Sequence, residues 1–407
     1  MGEIAVSSRI SRARSLPSPA RETASNGGRR LTYQPALDGI RALAVSAVLA
    51  FHGGLAWARG GFLGVDAFFV LSGYLITSLL LNEWQATGRI NLTGFWARRA
   101  RRLLPAIFLV MVGIAVYAVV FAAPPEMANL RGDALATLSG VANWRPLFVD
   151  HVYYTPLRHT WSLAIEQQWY LFWPFVVIAL LRLRGGSPRV LLGVAIALAA
   201  ASALLMAWLH EPGTEPSRAY YGTDTRAQSL LVGGALAILF SQIGPVRGTL
   251  RGLTLQSAGL ACAVAVGFAW LTLSINDAFL YHGGFLLLAL GVGVVIAAAA
   301  QPKAGPLGRV LSLPPLRSLG IISYGVYLWH WPIFFVLTTP RTHLEGYTLF
   351  AVRVALTLLI SVISYNVVEA PFRHGAFRSW RVSWALAPAG AMSLAVCVFL
   401  LTRGGGV

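Results

Sequence analysis

Long apolar runs, broken by short polar stretches that carry most of the arginines, are the dominant pattern of this chain. After an opening segment rich in Ser, Arg, Pro and Gly, apolar runs recur over about 37–57, 62–81, 103–123, 160–181, 190–209, 226–243, 252–273, 279–300, 319–339, 347–369 and 382–402. Each is close to the roughly 20 residues that a helix needs to cross a bilayer. In lipid every backbone polar group must be satisfied within the segment, so runs of this length read as helices. The pattern predicts an all-α polytopic membrane protein of about eleven transmembrane helices. The stretch 133–149, interrupted by Asn143, Arg145 and Pro146, is too polar for a span and is expected to be a loop.

Composition agrees: 56% of residues are hydrophobic and 12% charged, against about 25% charged in a soluble domain. The net charge of +17 would point to nucleic acid in a soluble protein. Here it follows from topology instead. With the N-terminus in the cytoplasm, the inner segments hold 22 Lys and Arg and the outer ones, Arg226 included, hold 8. The positive-inside rule therefore predicts a cytoplasmic N-terminus and an extracytoplasmic C-terminus. No nucleic-acid partner is needed. Residues 1–36 lack the apolar region of a signal peptide and are expected to form a disordered basic cytoplasmic tail. Residues 37–378 form the ten-helix membrane domain, and 379–407 an additional helix with a short outer tail. Cys262 and Cys397 both sit in apolar runs and read as small buried hydrophobes. No zinc-site spacing or Walker loop occurs, so no metal and no bound cofactor is expected.

The stretch from Leu37 to Thr77 reads as two helices joined by a Gly-rich turn, with Asp38, Arg41, His52 and Asp66 among its apolar residues. Ionisable residues inside a membrane are costly, at about 2.5–3.5 kcal/mol each at a helix centre, and mark functional sites by default. Arg41 and His52 are eleven residues apart, almost three helical turns, so they leave the first helix on nearly one face, offset by roughly 16 Å along its axis. One face thus carries a cation toward one membrane surface and an imidazole toward the other.

Three further constellations stand out. Arg98, Arg99, Arg101 and Arg102 fall within five positions ahead of the third helix. Guanidinium groups suit bidentate phosphate recognition, and the same cluster would serve as a lipid-facing anchor. His159, Ser162 and Glu166 share a helical face at i, i+3 and i+7, as do Ser323, Tyr327 and His330 at i, i+4 and i+7. Glu369 is followed by Arg373, the spacing of a helix-end ion pair. Ser72 lacks the strand–turn–helix setting of a nucleophile elbow.

The opening hairpin resembles the acyltransferase-3 family of bacterial integral-membrane O-acyltransferases. The resemblance rests on Leu37-Asp38-Gly39-Ile40-Arg41 with His52 after ten intervening residues. It continues through Gly61-Phe62-Leu63-Gly64-Val65-Asp66 and Phe68 to Thr77. It extends through the Arg-rich segment ending Leu103-Leu104-Pro105, through Thr160-Trp161-Ser162-Leu163 with Glu166, through Ser323-Tyr324 with Tyr327-Leu328 and His330, and through Glu369 with Pro371 and Arg373. Gln167 stands where the family usually has a second Glu, so the chain offers one carboxylate there instead of a pair.

The resemblance implies a multi-pass protein of the bacterial cytoplasmic membrane that transfers an acetyl or other short acyl group from cytosolic acyl-CoA to a hydroxyl of a cell-envelope glycan, a glycolipid or a glycosylated metabolite. It implies donor binding by Arg41, Arg98, Arg99 and Arg102. His52 is expected to act as general base or transient acyl acceptor, oriented by Glu166 or Asp66, with Asp38, Ser162, Tyr327, His330 and Glu369 as further polar site residues. In longer family members an extra helix leads into an extracytoplasmic SGNH-type domain; such a domain is expected to be separate from this chain or missing. On the residues alone, a transporter of an anionic solute using Arg41, Asp66 and Glu166, or a scaffold presenting a partner outside, would carry the same features.

Overall fold

The structure is a computed structural model that describes residues 33–122, 124–148, 155–183, 187–246, 248–301 and 305–373. Among these residues there is no strand, and ten helices are long and apolar enough to cross a membrane. They account for ten of the eleven expected runs. The eleventh, 382–402, lies outside the described residues, as does nearly all of the N-terminal tail.

The hairpin is α1 (Pro35–His52) and α2 (Gly64–Thr87), joined by two short 3₁₀ turns. Then follow α3 (Leu92–Val120), α4 (Pro124–Leu138), α5 (Trp161–Leu183), α6 (Pro188–Leu209), α7 (Ser217–Tyr221) and α8 (Thr223–Ile243). The remainder is α9 (Thr249–Thr272), α10 (Phe285–Ala299), α11 (Pro306–Leu311), α12 (Pro314–Val336), α13 (Thr339–Thr342), α14 (Gly346–Ser364) and α15 (Ala370–Arg373). Proline opens α1, α6, α11 and α12, where its fixed φ suits the first turn and its missing N–H is no loss.

α1 lies along α12, and α2 lies along α8. Lipid tails are as apolar as leucine, so helices associate in a bilayer through close packing of small residues. The approach of α1 to its neighbours is a case. A Cβ on Gly39 would stand 1.9 Å from the carbonyl oxygen of Leu311, and one on Gly320 would stand 1.9 Å from that of Asp38. The two glycines let α1 seat directly against α11 and α12, which fixes the height of Arg41 and His52.

Three elements differ from expectation. α3 begins at Leu92, about a turn and a half before Arg98, because Asn91 caps it by accepting the Gly94 N–H at 2.9 Å. The arginine cluster is therefore part of a helix and not of a loop. α4 runs to Leu138, into the stretch expected to be a loop; two prolines open it and helix-forming Ala and Leu carry it. Arg226, expected at the outer edge of its span, is fully buried within α8.

Candidate active site

α1 carries the two ends of the site. Near its start, Arg41 donates to Asp38 at 2.6 Å, one turn back on the helix. Tyr33 donates to the other Asp38 oxygen at 2.7 Å, and Arg317 donates to the Tyr33 hydroxyl at 3.0 Å. Burial, with the Asp38 carboxylate behind it, raises the Tyr33 hydroxyl above its ordinary range. Asp38 is thus shared between a cation and a phenol, and it holds Arg41 in place.

His52 is the last residue of α1 and is half-buried. Its Nδ1 lies 3.0 Å from Nε2 of His330, which is fully buried on α12. His330 Nδ1 in turn lies 2.5 Å from the backbone oxygen of Tyr327. Trp331 stands against the His52 ring with centroids 4.8 Å apart. Part of each predicted face meets here: His159, in a 3₁₀ turn (Arg158–Thr160) just before α5, and Ser162 of α5 reach Tyr327 and His330 of α12. His159 donates from Nε2 to the Leu328 carbonyl at 3.1 Å and sets its ring edge-on to His330, with centroids 5.4 Å apart. The hydroxyls of Ser162 and Tyr327 are 2.5 Å apart, and Tyr327 donates to the His159 carbonyl at 3.0 Å. Among the described residues no three His, Cys, Asp or Glu side chains converge as metal ligands would.

A cavity runs from the cationic end as far as Ser162 and Tyr327, the latter in contact with His330; the histidines themselves do not line it. Arg41, Arg99 and Arg102 line it, together with Ser72, Glu166 and Tyr170, and so do Ser162, Ser323 and Tyr327 beside the histidines. Glu166 accepts from Ser72 at 2.6 Å and from Tyr170 at 3.1 Å. Three guanidinium groups, against the carboxylates of Glu166 in the wall and of Asp38 behind Arg41, leave the cavity net positive and suited to anions. Helix geometry sorts the arginine cluster. Arg99 and Arg102, three residues apart, share the inward face, whereas Arg101 is exposed and Arg98 pairs at 3.3 Å with Glu83 on the surface.

Several expected relationships are corrected. Neither Glu166 nor Asp66 orients His52. Glu166 is engaged by Ser72 and Tyr170 within the cavity, and Asp66 is held by Arg226 at 2.9 Å and Ser229 at 3.0 Å. Asp66 and Arg226 both need a buried counter-charge, and each supplies the other's. The partner of His52 is His330, 278 residues away. Arg98 does not reach the cavity. Glu369 is buried in a π-helical turn and accepts from Ser364 at 3.2 Å, in place of a direct helix-end pair with Arg373. Arg226 had no assigned role. The available signal was a lone arginine next to Gln228 and Ser229 in an otherwise apolar run.

Comparison of the sequence with known proteins places the chain in a family. The chain is 42% identical over 355 residues to the peptidoglycan O-acetyltransferase OatA of Listeria monocytogenes, covering 85% of this chain and 56% of that protein. It is 34% identical over 358 residues to the O-acetyltransferase OatA of Staphylococcus aureus, covering 86% of this chain and 58% of that one. The chain spans little more than half the length of these curated relatives. No solved structure matches it. Residues 34–402 match the family model described as an acyltransferase domain. With most of its length inside that match and ten helices able to span a bilayer, the chain is a multi-pass bacterial membrane protein belonging to the acyltransferase-3 family.

Proposed function

We propose that this chain transfers an acetyl group from acyl-CoA to a hydroxyl of a cell-envelope glycan, with a unit of peptidoglycan as the first candidate acceptor. The relatives, a peptidoglycan O-acetyltransferase and an O-acetyltransferase, support the acetyl group and the glycan. The donor is inferred from the observation that carries the reading. One cavity is lined by Arg41, Arg99 and Arg102 and also by Ser162 and Tyr327, which adjoin the His52–His330 pair. Arginines suit the phosphates of coenzyme A. The axial offset of roughly 16 Å between Arg41 and His52 suits its extended pantetheine arm.

In this reading the N-terminus is cytoplasmic and the arginine end faces the cytosol, in line with the arginine distribution. The acyl group is presented near Tyr327, and the acceptor approaches His52 from the opposite surface. His52 takes the hydroxyl proton as the oxygen attacks the thioester carbonyl. The new ester O–C bond forms, the C–S bond breaks, and the departing thiolate receives the proton as coenzyme A thiol. Glu166, Ser72 and Tyr170 form the polar wall of the donor passage.

The test is thiol release from acetyl-CoA by purified full-length protein in nanodiscs, with and without soluble peptidoglycan fragments. Acceptor-dependent release that disappears in H52A is the expected result. Solute flux without consumption of acetyl-CoA would replace the reading with a transporter, and full activity of H52A would remove His52 from the mechanism.

A further inference from the structure

The bonds around His330 determine which nitrogen of His52 can react. A backbone carbonyl only accepts, so the Tyr327 oxygen 2.5 Å from His330 Nδ1 requires the His330 proton to sit on Nδ1. In the neutral ring Nε2 then carries the lone pair. Facing that lone pair at 3.0 Å is His52 Nδ1, which must donate. The His52 proton is therefore on Nδ1, and its Nε2 is the unprotonated atom.

We propose that His330 is the positioning residue of the transfer reaction: anchored to the Tyr327 carbonyl, it orients His52 and holds the His52 proton on Nδ1, so that Nε2 is the nitrogen that takes the acceptor's hydroxyl proton. The inference rests on the acyl-transfer reading and adds the residue and the atom. A carboxylate does this work in a catalytic triad; here a second imidazole does it, and its own orientation comes from main chain. Three features hold it. His330 is fully buried, so water does not compete for its Nε2. The edge-on packing of His159 confines its ring. The His159 proton is spent on the Leu328 carbonyl, so His159 does not protonate the pair. When Nε2 of His52 takes the hydroxyl proton, the ring becomes a cation whose Nδ1–H still points at the His330 lone pair. That proton leaves from Nε2 to the thiolate, and the pair returns to its starting state.

Two measurements test this on the full chain. The first is steady-state thiol release from acetyl-CoA, with a soluble peptidoglycan fragment, by wild type, H330L and H330Q. Leucine removes the acceptor. The glutamine side-chain oxygen reaches about as far as Nε2 and can still accept from His52. In H330L, kcat should fall about 100-fold or more while the KM for acetyl-CoA stays within about twofold. H330Q should recover to within about tenfold of wild type. A folded H330L with undiminished kcat, or an H330Q as inactive as H330L, would overturn the assignment. The second measurement is independent of turnover and reads the wild-type protein directly. Long-range nitrogen–proton correlation on histidine-labelled wild type, assigned with H52A, reads the tautomer. His52 protonated on Nδ1 supports the proposal, and protonation on Nε2 overturns it. Wild type that releases no thiol would instead sink the transferase reading, and this inference with it.

Discussion

Arg226 and Asp66 meet at 2.9 Å with side-chain exposures of 0% and 1%, an ion pair wholly inside the helical bundle. The Ser229 hydroxyl completes the carboxylate, and the rings of Phe69, Trp161, Tyr220 and Phe285 surround the guanidinium, Phe285 nearest at 4.2 Å to its centroid. The pair ties α2 to α8. Removing one partner of a buried pair strands the other charge at a cost of about 3–5 kcal/mol, whereas replacing both with apolar residues of similar volume is often neutral. D66A should therefore melt well below wild type, and D66L/R226M should lie closer to wild type than D66A does. Thermal unfolding followed by tryptophan fluorescence in detergent reads both. An unchanged melting temperature for D66A would remove the pair's structural role.

The sorting of the arginine cluster predicts a contrast between neighbours. Arg99 and Arg102 line the cavity and Arg98 pairs with Glu83 outside it. Each charge-assisted contact to a phosphate is worth about 1.5–3 kcal/mol. R99A and R102A should each raise the KM for acetyl-CoA by about tenfold or more. R98A breaks only a surface pair, worth about 0–1 kcal/mol, and should leave that KM within about twofold. Equal effects of R98A and R99A would mean that the cluster acts as a diffuse positive patch.

What the sequence discloses and what it conceals divide along a physical line. Helix periodicity puts Arg41 above His52, and Ser323 with Tyr327 and His330, on single faces, because those relations are local. Which faces meet depends on tertiary packing. His52 finds His330 across 278 residues, and nothing in the periodicity of α1 names α12 as its partner. The carboxylates Asp66 and Glu166 were the natural candidates to orient His52, since an imidazole and a carboxylate attract. Asp66 is instead taken by Arg226, whose depth in α8 is disguised by its position at the start of an apolar run. The split between Arg98 and Arg99 was accessible in principle, because the Asn91 cap sets the start of α3 and with it the face on which each arginine lies.

The glycine contacts of α1 make the height of the site testable. A Cβ at Gly320 would stand 1.9 Å from the Asp38 carbonyl, and backbone cannot rotate away as a side chain can. G320A should push α1 off α12 and cost about 1–3 kcal/mol or more. It should also reduce transfer, because Asp38 holds Arg41 and the far end of α1 holds His52 against His330. The combined readout is melting temperature with thiol release. A variant as stable and active as wild type would show that α1 has slack against α12.

Tyr327 serves the site in two separable ways. Its backbone oxygen anchors His330, and its hydroxyl joins Ser162 to the His159 carbonyl within the cavity wall. Y327F deletes only the second role. It leaves the Ser162 hydroxyl and the His159 carbonyl without that buried partner, at a cost of about 1–3 kcal/mol, and keeps the carbonyl on which the His330 proton rests. Y327F should therefore lower the melting temperature while reducing kcat by less than tenfold, far less than H330L. The comparison separates a side-chain role from a main-chain role at one residue. If Y327F lost as much turnover as H330L at equal folding, the phenol itself would have to touch the reacting atoms, and the anchoring of His52 would not be the dominant contribution of this turn of α12.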